Sequence, residues 1–175
     1  TKTMAESTHQ RFITTHNPTT GESIFDASIA NKVPVIEYPG GLGSVETHYA
    51  SEGFPHNLCD DADKQTYQRY LTEPPGICIA NGTVLRYVNL SPKSSSPMHR
   101  TISVDSGVVV DGTVRLELDS GESKVLKRGD VFVQRATMHA WHNDSETEIA
   151  RMVVFVQPAA PLEVAGKQLA DEFRV

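Results

Sequence analysis

From Ile77 to Val156 the chain is a succession of short β-branched runs separated by turn dipeptides, and no other feature of its 175 residues constrains the fold as strongly. Asn81-Gly82, Asp111-Gly112, Ser120-Gly121 and Gly129-Asp130 stand between the runs. Asn-Gly and Asp-Gly suit the tight turns that join antiparallel strands, because they tolerate positive φ. Thr113 to Leu118 alternates, with Val114, Leu116 and Leu118 on one side and Arg115 and Glu117 on the other. That is the period of an extended chain buried on one face. Ile149 to Val156 is apolar on both faces apart from Arg151, the pattern of a buried strand. Strands at this spacing predict an all-β sandwich or barrel. Around Asn81-Gly82 the pattern predicts a hairpin of strands Ile77–Ala80 and Thr83–Leu90. Upstream it predicts a hairpin within residues 11–27 turning at Asn17–Gly21, and an apolar run over 33–49 broken by Pro39-Gly40-Gly41. A short helix is predicted over Asp60–Leu71, with acids at its positive end and Pro74-Pro75-Gly76 after it. Pro158 and Pro161 close the β region, and Leu162, Leu169 and Phe173 predict a short packing helix. Residues 1–10 are polar and expected to fray.

Length and composition fit one domain with a real core: 38% of residues are hydrophobic and 22% charged. A net charge of -6 argues against a broad nucleic-acid surface, which needs clustered Lys and Arg. No apolar run approaches the ~20 residues of a membrane span, and TKTMAESTHQ lacks a signal peptide's apolar centre. The expectation is a cytoplasmic protein with a small-molecule substrate and neither nucleic-acid nor membrane partners. Cys59 and Cys78 match no metal or redox spacing; they read as two structural thiols, with a pairing as the alternative. There is no G-x-S-x-G elbow, phosphate loop or dinucleotide fingerprint, so no nucleotide cofactor is expected.

The chemistry-bearing residues fall in two segments, Pro97–Gly112 (PMHRTISVDSGVVVDG) and Gly129–Asn143 (GDVFVQRATMHAWHN). His99, Thr101 and Asp105 sit at odd positions of an extended run, so without a bulge they share a face. His139 follows the strand-like VFVQ. If the two segments face each other, His99, Asp105 and His139 converge in one cavity. Two imidazoles and a carboxylate can hold a divalent metal with open positions, and the same groups without metal can transfer protons. Each residue also has a plainer reading. His99 follows the polar SPKSSSP, as a solvated loop residue would, and Asp105 can cap the turn before Gly107. Thr101 reads as a lining hydroxyl rather than a ligand. Trp141 either packs the core, plugs the barrel mouth or stacks on a substrate ring. Arg86, Arg100 and Arg135 can each take a substrate carboxylate or enolate, with surface pairing as the alternative. Arg86, mid-strand between Leu85 and Tyr87, is nearest the expected cavity. His142 is expected to point outward, and His9, His16, His48 and His56 to lie on the surface.

The two segments resemble the signature motifs of the cupin superfamily, small β-barrels with a metal or substrate site inside. The family's first motif reads His-x-His, three or four residues, Glu, six residues, Gly; here His99, Thr101, Asp105 and Gly112 stand at those places. The second begins Gly-Asp and ends His-x-x-x-Asn, matched by Gly129-Asp130 and His139 to Asn143. SPMHRT, GDVFVQR and TMHAW are closer still to single-domain cupins of fungal secondary-metabolite clusters. The departures are Thr101 for the second histidine, Asp105 for Glu, Lys93 for the glycine six residues before His99, and Arg135 and Thr137 for a proline and a glycine. The resemblance implies an all-β, cupin-like double-stranded β-helix (jelly-roll) barrel with a few short helices. It would span 1–175, with an N-terminal arm and hairpin over 1–32, a core barrel over 77–158 and a C-terminal tail or helix over 159–175. It implies a homodimer in which the N-terminal hairpin adds to a partner's sheet edge. It further implies a tailoring enzyme of polyketide-type metabolism. Its catalytic residues would be His99, His139 and Asp105, with Arg86, Thr101 and Trp141 binding substrate. The reaction would be dehydration, isomerisation or aromatisation, or a metal-dependent oxidation. His99, His139 and Asp105 would hold one divalent ion (Fe, Mn, Zn or Ni) if any is bound. The alternative is a non-catalytic small-molecule-binding barrel.

Overall fold

Residues 82–158 form strands between their spaced turns. Only Ser120-Gly121 joins a hydrogen-bonded pair, whereas Asp111-Gly112 and Gly129-Asp130 carry the chain from one sheet to the other. The computed structural model describes residues 7–174 and is built of antiparallel strands with one α-helix. In chain order these are β1 (Thr14–His16), β2 (Ser23–Phe25), β3 (Val35–Glu37), β4 (Gly43–Glu52), helix α1 (Ala62–Thr72), β5 (Gly82–Leu90), β6 (Ser94–Ser95), β7 (Met98–Arg100) and β8 (Ser103–Asp111). Then follow β9 (Thr113–Leu118), β10 (Ser123–Lys127), β11 (Val131–Arg135), β12 (His139–Asn143), β13 (Ala150–Pro158), β14 (Glu163–Val164), β15 (Lys167–Gln168) and β16 (Glu172–Arg174). One sheet runs β11-β8-β13-β5-β4-β3 and the other β10-β9-β12-β7-β16, with β6 also pairing β12. This is the jelly-roll barrel expected. The sheet includes β3 and β4, so the barrel extends upstream of the expected 77–158 core.

Alternation decides what lies between the sheets. On β13, Ala150, Met152, Val154 and Val156 are buried, whereas Phe155 is 37% exposed on the outside. The strand is therefore one-faced, although its sequence is apolar on both sides. Val84, Val109, Val114 and Met152 are fully buried, and Phe132 packs on Trp141 at 4.7 Å between ring centroids. At ~25 cal/mol per Å² of apolar surface removed from water, these side chains supply the main term holding the sheets together. Gly43 shows how closely the strands approach. Its φ is 143°, and a Cβ there would lie 1.9 Å from the Asn89 carbonyl oxygen on β5. Gly43→Ala is expected to cost about 2–4 kcal/mol, read as a lower urea midpoint.

Three expectations are corrected. Ile77–Ala80 is not a strand, and Asn81-Gly82 joins no hairpin. β5 already has β4 and β13 on its two sides, leaving no edge for a third strand. The carbonyls of Gly76 and Ile77 instead accept from Arg86 Nη2, at 2.9 and 3.1 Å. The C-terminal segment forms no helix. It makes the β14–β15 hairpin, and then β16 adds to β7, placing Phe173 opposite His99. An open strand edge offered more backbone hydrogen bonds than the weak helical pattern of Leu162, Leu169 and Phe173 could outweigh.

The third correction concerns the N-terminal arm. Of the stretch expected to fray, residues 1–6 lie outside the described residues, but Ser7 is buried, and so is Arg11 beyond it. Ser7 Oγ donates to Glu46 Oε2 at 2.5 Å, and its N–H to the Val33 carbonyl at 2.9 Å. Arg11 donates to the Tyr67 hydroxyl and the Ala30 carbonyl, and Lys64 to Asp26. The arm thus covers the outer face of β4, which explains why His48 is buried, 3.2 Å from Glu46, rather than on the surface. His9 is also drawn in, against Arg151 and Tyr87, while His16 and His56 are exposed. The β1–β2 hairpin joins neither large sheet and leaves Phe12 and Phe25 exposed. Cys59 and Cys78 are both free.

Candidate active site

The motif segments reach one cavity by a different route from simple alternation. Between β7 and β8 the chain crosses from one sheet to the other, so His99 and Asp105 lie on opposing walls. Thr101, at the crossing, is buried but does not line the cavity. The period of two fails there because residues 101 and 102 belong to no strand. His139 on β12 is the direct cross-strand partner of His99 on β7, and the two rings lie 4.3 Å apart between centroids. Trp141, two residues along β12, meets His139 edge-on at 5.7 Å.

The cavity, about 420 Å³, is walled mainly by apolar side chains, among them Leu90, Phe132, Met152 and Val154. Its polar groups are few: His99 and His139 on one sheet, with Ser96 just before β7, Arg86 and Asp105 on the other, and Tyr38 before the β3–β4 turn. Phe173 on β16 lines the cavity too, its ring stacked on His99 at 5.5 Å and 6° between planes. Neither Tyr38 nor Phe173 stood out in the sequence. Tyr38 carried one signal, its place just before Pro39-Gly40-Gly41, but Phe173 enters only because β16 pairs with β7. Arg100 and Arg135 do not line the cavity: Arg100 pairs with Glu172 at 2.7 Å and Arg135 is exposed. His142 faces the other side of β12, with Ser95 at 2.7 Å and Glu117 nearby.

Backbone carbonyls set the chemical form of both histidines. His99 Nδ1 lies 2.8 Å from the Pro97 carbonyl, and His139 Nδ1 lies 2.9 Å from that of Thr137. A carbonyl only accepts, so each Nδ1 carries a proton, and in the neutral ring Nε2 is the nitrogen that presents a lone pair. Neither Nε2 has a hydrogen-bond partner among the described residues. Burial pushes His139 down to about 4, and the neighbouring His99 pushes in the same direction. Burial pushes the Asp105 carboxyl up, against the opposing pull of Ser103, Arg86 and His99. Asp105 Oδ1 is buried without a partner.

A two-sheet jelly-roll with two histidines, an arginine and an aspartate converging inside defines the class of protein. The sequence pattern of the Cupin domain matches residues 86–156, and the chain belongs to the cupin superfamily. It is similar to "Phomopsin biosynthesis cluster protein C'" of Diaporthe leptostromiformis, 46% identical over 93% of this chain and 85% of that one. It is also similar to "Cupin-domain-containing oxidoreductase virC" of Hypocrea virens, 43% identical over 54% of this chain; the match spans 47% of that relative's length. Among solved structures the polyketide cyclase RemF of Streptomyces resistomycificus shares the fold. Its TM-score is 0.50 and its identity 16%, over 81% of this chain and 79% of that one. No helix among the described residues is long and apolar enough to cross a membrane.

Cupins are implied to hold a metal, and the donors can be tested against that. Among the described residues no group of three His, Cys, Asp or Glu side chains comes close enough to share an ion. His99 and His139 supply two nitrogens, but Asp105 stands across the cavity and does not complete the facial set expected from the sequence. Thr101, where a further histidine would stand in the motif, does not line the cavity. The residues as arranged do not fit a resident three-ligand ion.

Proposed function

We propose that this cupin is a tailoring enzyme of fungal secondary metabolism that moves protons on a small carbonyl compound, catalysing dehydration or isomerisation inside the barrel. The observation that carries the reading is the pair of imidazoles held as Nδ1–H tautomers with both Nε2 lone pairs free. An apolar cavity makes such a pair a usable base. In a dehydration, one imidazole Nε2 takes the proton beside the carbonyl, the C–H electrons form the C=C bond, and the C–O bond at the β-carbon breaks. Asp105, whose affinity for protons burial has raised, gives its proton to the departing hydroxyl, and water leaves. With the rings 4.3 Å apart, a proton on His99 opposes one on His139. The biosynthesis-cluster relative supports the metabolic setting.

The test uses β-hydroxy ketones and 1,3-diketones bearing an aromatic body, incubated with the protein in D₂O and followed by NMR. Deuterium should enter beside the carbonyl, with elimination where a β-hydroxyl is present. The rate should be unchanged by a chelator and by removal of dioxygen. The rival reading, a metal-dependent oxidation, draws on the oxidoreductase name of the Hypocrea virens relative. Turnover that a chelator abolishes and a divalent ion restores, with dioxygen consumed, would establish that rival instead.

A further inference from the structure

The acid–base reading leaves Arg86 and Tyr38 unused. Arg86, on the central strand β5, is only 8% exposed and lines the cavity with Tyr38 and Asp105. Its Nη2 is spent on the Gly76 and Ile77 carbonyls, which orders that loop. Those carbonyls carry no counter-charge, and among the described residues Arg86 makes no ion pair. Its Nε is buried with no partner. A guanidinium has five N–H donors, and a buried one without an anion is costly. Asp105 is close enough for its charge to act on Arg86 but does not pair with it, and its own Oδ1 has no partner. The Tyr38 hydroxyl, near enough to feel Arg86, is also unbonded among the described residues. Burial pushes Tyr38 up, which keeps the hydroxyl a donor. Two donors and one carboxyl thus meet in a space that is otherwise apolar.

We propose that Arg86 and Tyr38, with Asp105 beside them, bind the carboxylate of an aromatic or similarly apolar monocarboxylic acid, and that this acid is the substrate class of the enzyme. The proposal rests on the proton-transfer reading for what happens next, but not for binding. One carboxylate oxygen accepts from a guanidinium N–H of Arg86 and the other from the Tyr38 hydroxyl, which leaves Asp105 free to act as the acid. A dianion such as a phosphate ester is disfavoured, since Arg86 is the one guanidinium or ammonium lining the cavity and supplies a single positive charge. Apolar walls hold the body of the acid, and its reactive carbons extend toward His99 and His139 on the facing sheet.

The probe is 2-naphthoate at neutral pH, compared with the neutral 2-naphthamide, by calorimetry and by quenching of Trp141, the single tryptophan, which lines the cavity. The wild type should bind naphthoate at least tenfold more tightly than the amide. Arg86→Met should erase that preference, Arg86→Lys should keep part of it, and Tyr38→Phe should weaken naphthoate severalfold while leaving the amide unchanged. If Arg86→Met does not fold, the wild-type comparison and the lysine variant still decide. Equal binding of acid and amide by the wild type, no binding of naphthoate, or a full preference surviving in a folded Arg86→Met would each overturn the proposal. Because binding is read rather than turnover, a clear naphthoate preference without deuterium exchange keeps the anchor and rejects the catalytic reading. Exchange without the preference does the reverse.

Discussion

Replacing both cavity histidines, His99→Ala with His139→Ala, is expected to lower turnover by about 10²–10⁴ and to be little worse than either single replacement. The two side chains are direct cross-strand partners with touching rings, so they offer the substrate one base rather than two independent ones. Removing His99 also removes the neighbour that helps keep His139 neutral. The measurement is the rate of deuterium exchange or elimination for each variant, with circular dichroism confirming the β fold. His142→Ala is the control, since that side chain faces away from the cavity toward Ser95 and Glu117, and it should keep most activity. A folded double variant with near-normal turnover would show that the chemistry lies elsewhere.

The same burial predicts a pH dependence of stability. His139 is 4% exposed, and folding lowers its pKa from the usual 6.5 to about 4. Between those values the unfolded chain binds the proton that the folded chain refuses, so stability falls as pH falls across that window. A shift of that size corresponds to about 3 kcal/mol lost between neutral pH and pH 4. His48, lowered chiefly by burial, acts in the same sense. Asp105, raised by burial, acts in the opposite sense, favouring the folded state toward acid. The difference between wild type and His139→Gln isolates the one histidine. Urea midpoints measured from pH 7.5 to 4.5 should fall less steeply in the variant. Parallel curves would mean that His139 takes up its proton as readily folded as unfolded.

How far these residues could be read from the sequence depends on the range of the interactions that place them. The turn dipeptides and the alternation of Val114, Leu116 and Leu118 act over a few residues, so the β architecture, the α1 helix and the β1–β2 hairpin were legible directly. So was the convergence of His99, Asp105 and His139 on one cavity. Local pattern also misled wherever a distant strand or side chain supplied the deciding hydrogen bonds. Asn81-Gly82 signals a hairpin, but β5 was already flanked by β4 and β13. Leu162 to Phe173 suggests a helix, but β7 had an open edge, and pairing there laid Phe173 on His99. His48 looked solvated because the arm that covers it begins some forty residues earlier, at Ser7. Lys93, at the motif's glycine position, holds φ 53° although its side chain gives no sign of a left-handed backbone.

The sequence by itself determined the list of groups that could do chemistry and the barrel that carries them, because both follow from residue type and short spacing. Only the tertiary structure decided how those groups are used. It set His99 and His139 ring to ring, sent Asp105 to the opposite wall and turned Thr101 out of the cavity. It also left Arg86 buried there without an anion. Each outcome depends on where the chain crosses between sheets, and the sheets assemble by burying apolar surface along their whole length rather than by any spacing within the motifs.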